Sequence, residues 1–335
     1  MAAARRLNPL PLFSLFVVHC GRLWAADQSP PATAAADAQT TVPQEIEVTG
    51  EQPGPRLWRV SKGDHVLWLL GTLDPLPRKM EWKSHEVESA ITEAQEVLYY
   101  QPAVSLGGNP FTWIRVYFQW RHVQTMPAGA TLKDWVPPDT YARFAALEAR
   151  FDPHDRRTEK LRPIFAALRL YDRALDASRL TSGDHTEQSV LKLARKHRVH
   201  VRQPRLRIDD PRGLITQLGE VPRAAHVRCF EAIVDRLDTG LEPMKAAARA
   251  WATGDVDTLR RLIRPKDIEI CTDAFATSPQ LKELIDRTRN AWSSELEAAI
   301  ERNRTTFAMS SIYDLLGPTG TLVELRSKGY QVEGP

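Results

Sequence analysis

The chain has 335 residues and a formal net charge of +3 at pH 7, with 42% hydrophobic and 26% charged residues. This composition is typical of a globular protein that can bury a sizeable core. Because the net charge is small for this length, it does not favour nucleic acid or an anionic membrane as a partner.

The first 26 residues have the layout of a secretory signal peptide. Arg5 and Arg6 precede an apolar stretch that ends near Val18, and alanines follow at 25 and 26. The apolar stretch is too short to span a membrane as a permanent helix. A buried first helix is the alternative interpretation. A lipoprotein signal is disfavoured because a histidine, not a small residue, precedes Cys20. We expect signal cleavage, an exported protein, periplasmic or secreted, and no transmembrane helix afterwards.

Residues 27–54 are rich in Ala, Thr, Pro and Gln and contain few large apolar side chains. Such a segment cannot bury enough surface to fold, so we predict a flexible linker. After cleavage the remaining cysteines are Cys229 and Cys271. They permit one disulfide in an oxidising compartment, and two separately buried thiols are the alternative.

Regular structure is predicted from Leu57 onwards. The sequence LWRVS, a KGD turn and HVLWLLG indicate a β-hairpin whose second strand is apolar on both faces and therefore central in a sheet. Ser84 can cap a following helix, and EVLYYQPAV begins a further strand at Val97. A strand, a helix and a strand of these lengths predict a βαβ unit with parallel strands.

Residues 106–190 have helical periodicity and no convincing strand, which predicts a helical insertion. The sequence TEQSVLKLARKH then predicts a helix leading into the strand RVHVRQ. Further helices are predicted around 211–219, 224–237, 243–252, 255–263 and 278–303. The C-terminal part, TTFAMSSI to YQVE, predicts a strand, a loop with a helix start and a last short strand. We therefore predict one mixed α/β domain over 55–335, with a central sheet flanked by helices.

Common catalytic motifs are missing from the sequence. It contains no GxSxG, GxxxxGK[ST], GxGxxG, HExxH or CxxC motif. His197 and His200 straddle a predicted helix end and strand start, so we do not expect them to share a metal ion.

Two side-chain patterns allow both a structural and a functional interpretation. The run RKHRVHVRQPRLR at 195–207 carries six arginines and lysines, which suits a solvated surface or a patch for anionic glycans or lipid headgroups. An aromatic stripe is expected to pack the inserted helices, with a partner groove as the alternative. Its members are Phe111, Trp113, Tyr117, Phe118 and Trp120.

Two aspartates follow apolar strands, Asp74 in GTLDPLP and Asp314 in SIYDLLGPTG. We expect both to lie on loops at the carboxyl ends of strands, where open α/β sheets place their ligands. Two aspartates there could hold a hard cation or act as an acid and base pair.

Several of these stretches resemble the TraB/GumN family of bacterial exported proteins. They are LWRVSKGDHVLWLLGTLD, AITEAQEVLYY, the Arg289–Asn290 pair in RNAW, and FAMSSIYDLLGPTGTLVELRSKGYQVE. The resemblance covers about 56–333. It implies kinship with the Tiki proteases and the fold of the erythromycin esterase and ChaN group.

The chain departs from the family pattern at the positions of its proposed metal site. Asp74 stands where the family has the histidine of a first GxxH. Ser311 and Asp314 replace the glycine and histidine of a second GxxH. Tyr100 and Gln203 stand where the family has glutamates. Glu187 loosely matches an acidic position of the family at the start of the preceding helix.

In the Tiki relatives these histidines and glutamates are thought to bind a divalent metal and to hydrolyse peptides. Their loss removes imidazole donors and negative charge, which disfavours zinc. We therefore expect no cofactor, and any metal would be a harder ion held by Asp74 and Asp314. Retained residues such as Gly71, Arg289 and Asn290 suit turns and packing.

Three functional hypotheses follow. The first is an exported protein with a degenerate metal-hydrolase site, a non-catalytic binding or accessory protein with a protein or glycan partner in the cell envelope. The second is a hydrolase in which Asp74 and Asp314 act with Tyr100 and Arg289. The third, implied by the resemblance and by the basic run, is a role in exopolysaccharide handling. Candidate ligand-binding residues are Gly71, Glu187, Gln203, Asn290 and Ser311.

Overall fold

The computed structural model describes residues 54–80, 82, 84–107, 110–155, 157–181, 183, 185–263, 265–317 and 320–335. The expected signal peptide and, except for Gly54, the expected linker lie outside these residues. No helix within the described ranges combines the length and the apolar character needed to cross a bilayer.

The described residues form ten strands. They are β1 (Leu57–Lys62), β2 (His65–Thr72), β3 (Leu76–Pro77), β4 (Glu96–Leu98), β5 (Ala103–Leu106), β6 (Leu180–Thr181), β7 (His200–Arg202), β8 (Arg205–Ile208), β9 (Thr305–Ser311) and β10 (Gln331–Glu333).

The same residues form fourteen α-helices. They are α1 (His85–Glu93), α2 (Pro110–Gln124), α3 (Leu132–Trp135), α4 (Pro138–Phe151), α5 (Pro163–Ala177), α6 (His185–Lys196), α7 (Pro211–Gly219), α8 (Arg223–Asp238), α9 (Glu242–Thr253), α10 (Val256–Leu262), α11 (Pro265–Ala276), α12 (Pro279–Arg302), α13 (Ile312–Leu316) and α14 (Thr321–Ser327). The mixed α/β fold class is confirmed.

The main sheet has the strand order β10-β1-β2-β9-β4-β7. β1 pairs antiparallel with β2 and β10, which confirms the predicted hairpin. β2, β9, β4 and β7 run parallel to one another. β2 and β4 therefore have the relative direction predicted for a βαβ unit, but β9 lies between them. The carboxyl ends of all four parallel strands meet at one edge of the sheet, which we call the carboxyl edge.

Helices cover both faces of this sheet. On one face α1 and α6 pack against apolar residues that include Leu70, Val97 and Phe307. On the other face α9, α10, α12, α13 and α14 pack against residues that include Leu67 and Leu69. Ser84 accepts a hydrogen bond from the Val87 backbone N–H (3.2 Å) and caps α1 as predicted.

Three local predictions were wrong. The segment 106–190 contains the strand β6, which pairs antiparallel with β3. A strand of two residues is too short to show an alternation of apolar and polar residues in the sequence. The strand predicted from Val97 starts at Glu96 and is split, because β5 begins after Pro102 and pairs with β8 in a separate sheet. Helix α11 was not predicted. It begins at Pro265, and a proline is tolerated as the first residue of a helix, although in a sequence it usually indicates that a helix ends.

A second core lies among the helices. α5 and α8 form its centre, and α2, α4, α7 and α11 contribute further buried side chains. Phe144 and Phe230 stack with ring centroids 4.9 Å apart. A disulfide joins Cys229 of α8 to Cys271 of α11, with the Cα atoms 4.7 Å apart. Of the two alternatives for these cysteines, the structure therefore contains the disulfide.

The aromatic residues of α2 divide between two environments. Trp113 and Trp120 pack against the helical core as expected. Phe111, Tyr117 and Phe118 are 75%, 54% and 65% exposed, so the expected packing was wrong for them. The physical reason is that apolar residues extend over most of the circumference of α2, and the core covers only one side of it.

Candidate functional site

Asp74 lies just beyond the carboxyl end of β2 and ties two segments together. Its Oδ1 accepts a hydrogen bond from the Gly183 backbone N–H at 2.9 Å. The side chain is half-buried, and the Asp74–Pro75 peptide bond is cis. The carboxylate thus links the loop after β2 to the segment before α6.

Tyr100 and Glu187 lie beside Asp74 at the same edge. The Tyr100 hydroxyl donates to Oε1 of Glu187 at 3.3 Å, and Glu187, in the first turn of α6, is 5% exposed. Burial raises the pKa of the Tyr100 phenol well above its ordinary value, and the charges of Glu187 and Asp74 raise it further. The phenol therefore stays protonated at neutral pH. We call Asp74, Tyr100 and Glu187 the edge cluster.

Two buried polar atoms lie close to the edge cluster. The Trp292 ring is 6.4 Å from that of Tyr100, and its Nε1 has no hydrogen-bond partner among the described residues. Thr186, next to Glu187, is 1% exposed, and its hydroxyl also lacks a described partner. Buried groups of this kind are rare in native proteins, so each needs an explanation. Both can donate a hydrogen bond.

Gln203 also lies at the carboxyl edge. It directly follows β7, and the carbonyl oxygen of the preceding Arg202 accepts from the Tyr99 backbone N–H at 2.9 Å. Gln203 is therefore near the end of β4 that carries Tyr100, and it is half-buried.

Asp314 has a different position from the one expected. It lies in the first turn of α13, not on a loop, because this short helix starts directly after β9. Its Oδ2 accepts hydrogen bonds from Ser310 (3.2 Å) and from Thr321, the first residue of α14. Asp314 thus fastens α14 to the end of β9. Asp74 instead accepts from the Gly183 backbone N–H.

Gly71 and Ser311 belong to the packing beneath the site. A Cβ atom on Gly71 would meet Cδ1 of Ile312, so any larger residue here would force the Ile312 side chain on α13 to move away from β2. The Gly71 carbonyl accepts from Nε1 of Trp251 at 2.7 Å. Ser311 pairs with Thr72 in the β2–β9 register.

Arg289 and Asn290 lie on α12 and are exposed. Burial raises the pKa of Glu324 on α14, but hydrogen bonds from Lys328 and Ser293, with the charge of Arg289, lower it overall. Arg289 is therefore near α14, and the contact between α12 and the edge cluster is made instead by Trp292.

Sequence analysis missed three polar residues near the edge cluster. Tyr171 on α5 has its hydroxyl 3.8 Å from Sδ of Met244. Burial is the largest cause of its raised pKa; the charge of Arg236 opposes the shift, and Tyr313 and Asp74 add to it. Tyr171 is thus near Arg236, Tyr313 and Asp74. Tyr313 directly precedes Asp314 in the SIYD segment that sequence analysis singled out.

A small open cleft adjoins this group, and we call it the edge cleft. Leu73 and Pro75, on either side of Asp74, form one wall, and Arg236 and Tyr313 contribute polar groups. The remaining lining residues are Thr239, Gly240, Pro243, Met244, Ala247, Leu262 and Ile263. An apolar wall with a few polar groups is typical of a ligand site.

The residues present do not fit the catalytic metal site that the family resemblance implies. One carboxylate of the edge cluster is bonded to a backbone N–H and the other to a tyrosine hydroxyl. The described residues contain no group of three or more His, Cys, Asp or Glu side chains that could hold a metal ion. A catalytic zinc needs three such ligands.

Much of the basic run at 195–207 is paired with acidic side chains. Lys196 and His197 contact Glu88 at 2.7 and 2.9 Å. Arg202 pairs with Glu96 at 2.6 Å, and Arg207 pairs with Asp209 at 2.5 Å. These pairs reduce the positive field that a glycan patch would need.

Glu96 itself is 4% exposed at the start of β4. Its other oxygen accepts from Arg302 at 2.7 Å. Burial raises the pKa of Glu96, but the hydrogen bonds and charges of Arg202 and Arg302 outweigh burial and lower the pKa overall.

Comparison with known proteins identifies the family. No curated protein and no solved structure matches the chain, so the expected erythromycin esterase and ChaN-like fold stays a prediction. Residues 56–334 match the TraB/PrgY/gumN family. Because this match spans nearly all of the described residues, the chain belongs to the TraB/PrgY/gumN family.

Proposed function

We propose that the chain is an exported, non-catalytic binding protein of the cell envelope whose ligand occupies the edge cleft. One observation carries this proposal. At two positions where the family resemblance implies metal ligands, Asp74 is bonded to the Gly183 N–H and Tyr100 to Glu187. These groups are engaged in holding the carboxyl edge together, and the buried Tyr100 phenol stays protonated.

The chemistry of the cleft favours a ligand with an apolar part and a hydrogen-bond-accepting end. The apolar wall includes Leu73, Leu262 and Ile263. The polar groups are mainly donors, since they include the guanidinium of Arg236 and the hydroxyl of Tyr313. The buried donors at Thr186 and Trp292 do not line the cleft. Carbonyl or carboxylate groups of an envelope peptide or glycan are acceptors that suit Arg236 and Tyr313.

Two features support export. The first 26 residues have the composition of a cleavable signal. The disulfide between Cys229 and Cys271 is of a kind that forms and persists in oxidising compartments such as the periplasm.

Metal analysis and peptide hydrolysis test the absence of catalysis. After equilibration with zinc or manganese and removal of free metal, the purified chain should retain substoichiometric metal and cleave no peptide in a metal-dependent way. Stoichiometric metal together with metal-dependent cleavage would overturn the proposal.

Binding to peptide and glycan arrays tests the cleft. Tyr313→Ala and Arg236→Ala should each weaken any binding found with the wild-type chain. Asp74→Asn and Asp314→Asn are the controls, because neither aspartate lines the cleft, and both variants should bind as the wild type does. Peptide cleavage by the wild type that both aspartate variants abolish would instead favour the hydrolase hypothesis.

Export is tested separately. When the full chain is expressed in a Gram-negative host, N-terminal sequencing of the periplasmic fraction should find a mature chain that begins near residue 27. An intact N-terminus confined to the cytoplasm would contradict export.

A further inference from the structure

Helix α2 presents an exposed apolar face that the proposed function does not use. Phe111, Ile114, Tyr117 and Phe118 are between 54% and 75% exposed. They recur at intervals of three and four residues, so they lie on one side of the helix. A contiguous patch of large apolar side chains on a protein surface commonly marks an interaction site. We call these four residues the α2 face.

The opposite side of α2 is firmly attached to the protein. Val116 and Val123 are each 4% exposed in the helical core. Nε2 of Gln119 donates to the Thr216 hydroxyl at 2.6 Å and to the Arg212 carbonyl at 3.2 Å, both on α7. These contacts hold α2 in place, so the α2 face points outward as a fixed surface.

The charges on α2 itself are positive. Arg115 and Arg121 are exposed; at 100° per residue Arg115 lies beside the face, and Arg121 lies one turn beyond Tyr117 and Phe118, at the end of the face. The sequence of α2, PFTWIRVYFQWRHVQ, contains no aspartate or glutamate. The small net charge of the whole chain therefore conceals a local cationic border around an apolar centre.

We propose that the α2 face binds the surface of an anionic lipid bilayer. A helix of 15 residues is about 22 Å long, which is too short to cross a bilayer but suits a position in its interface. Interfacial helices combine aromatic residues on one face with flanking basic side chains. Arginines at the border can reach the phosphates while their aliphatic parts cover apolar surface. Tyrosine and tryptophan are enriched at the same depth.

The charge pattern distinguishes a membrane from a second copy of the chain. In a twofold dimer through the α2 face, Arg115 and Arg121 of one copy would meet the same patch of the other. No acidic residue of α2 would compensate them, and like charges across an interface oppose association. Anionic lipid headgroups supply the missing negative charge.

Vesicle flotation of the full chain tests this proposal. The wild-type chain should float with vesicles that contain phosphatidylglycerol. The double variant Phe111→Ser/Phe118→Ser should lose about ten- to hundredfold in partition coefficient, since two large apolar side chains no longer enter the interface. Residues 1–53 are identical in every variant, so the difference between variants measures α2 alone.

Two further variants sharpen the test. Val323→Ser removes an apolar side chain that is 44% exposed on α14 and should float as the wild type does. Arg115→Gln/Arg121→Gln should weaken binding to anionic vesicles and leave binding to phosphatidylcholine vesicles unchanged. Far-UV circular dichroism should show the same helical signal for all variants, because the altered side chains are exposed.

Two results would overturn the proposal. One is flotation of Phe111→Ser/Phe118→Ser equal to that of the wild type. The other is a wild-type dimer in sedimentation that this double variant converts to a monomer, which would assign the α2 face to a second copy of the chain.

Discussion

Replacing Trp251 with phenylalanine should destabilise the carboxyl end of β2. Trp251 is 2% exposed, and its Nε1 donates to the Gly71 carbonyl at 2.7 Å. β1 covers β2 only as far as Leu70, which pairs with Leu57 at the start of β1. The Trp251 indole, on α9, therefore bonds to a residue of β2 that does not pair with β1.

Two terms contribute to the expected loss. A phenyl ring cannot donate, so the buried Gly71 carbonyl loses its partner, at a cost of about 1–3 kcal/mol. The smaller ring also leaves a cavity beside Trp82, whose ring centroid is 5.4 Å from that of Trp251. After neighbouring side chains partly fill this cavity, the remaining loss of stability is roughly 1 kcal/mol. The free energy of unfolding should fall by about 2–4 kcal/mol.

Urea denaturation followed by far-UV circular dichroism measures this loss. Trp68→Phe is the matched control: Trp68 lies on β2 as well, but its indole makes no hydrogen bond to the described residues, so we expect a change within about 1 kcal/mol. Equal losses from both variants would refute the argument, because they would show that ring packing, not the bond to Gly71, determines the effect.

Three other changes have defined outcomes. Replacing Cys271 with alanine breaks its disulfide to Cys229 across a separation of 42 residues and should cost about 2–4 kcal/mol; urea midpoints of the wild type under reductant should fall equally. Glu96→Gln should cost about 2–4 kcal/mol at pH 7. Because the folded-state pKa of Glu96 is lowered, its contribution is fully present above its unfolded pKa of about 4.3 and is lost as pH falls through the folded pKa, so the variant should destabilise less in acid. Gly320→Ala should lower the melting temperature by more than any of these, since its Cβ would clash with the Asp314 carbonyl oxygen, whereas Gly329→Ala meets no atom within 4 Å and incurs only the strain of a φ of +84°, about 1–2 kcal/mol.

Elements with a strong local signal were predictable from sequence. The hairpin of β1 and β2 followed from a short turn between two apolar runs. The five helices predicted between 211 and 303 agree with α7, α8, α9, α10 and α12 to within one residue at each end. The position of β9 between β2 and β4 was not predictable, because strand order depends on contacts between residues more than 200 positions apart.

The site was predictable only in part. Asp74 was predicted from its place after an apolar strand, and Tyr100 and Glu187 came from the resemblance; the structure brings these three together. Tyr171 and Arg236 were missed because each is one of several polar residues in a regular helix. Helical spacing does not show which neighbouring element a side chain contacts. The exposure of the α2 face was missed for a related reason: periodicity identifies apolar residues but not which side of the helix the core covers.

The place of β9 in the sheet has a consequence for how the chain matures. β9 spans Thr305–Ser311 and separates β2 from β4, so the central sheet cannot close until the chain has been synthesised through residue 311. Pairing across such sequence separations is intrinsically slow, because loop-closure entropy must be overcome first. A nascent chain that has not reached β9 therefore has no complete sheet, which would suit the export that we propose, because a narrow translocation channel accepts unfolded chains.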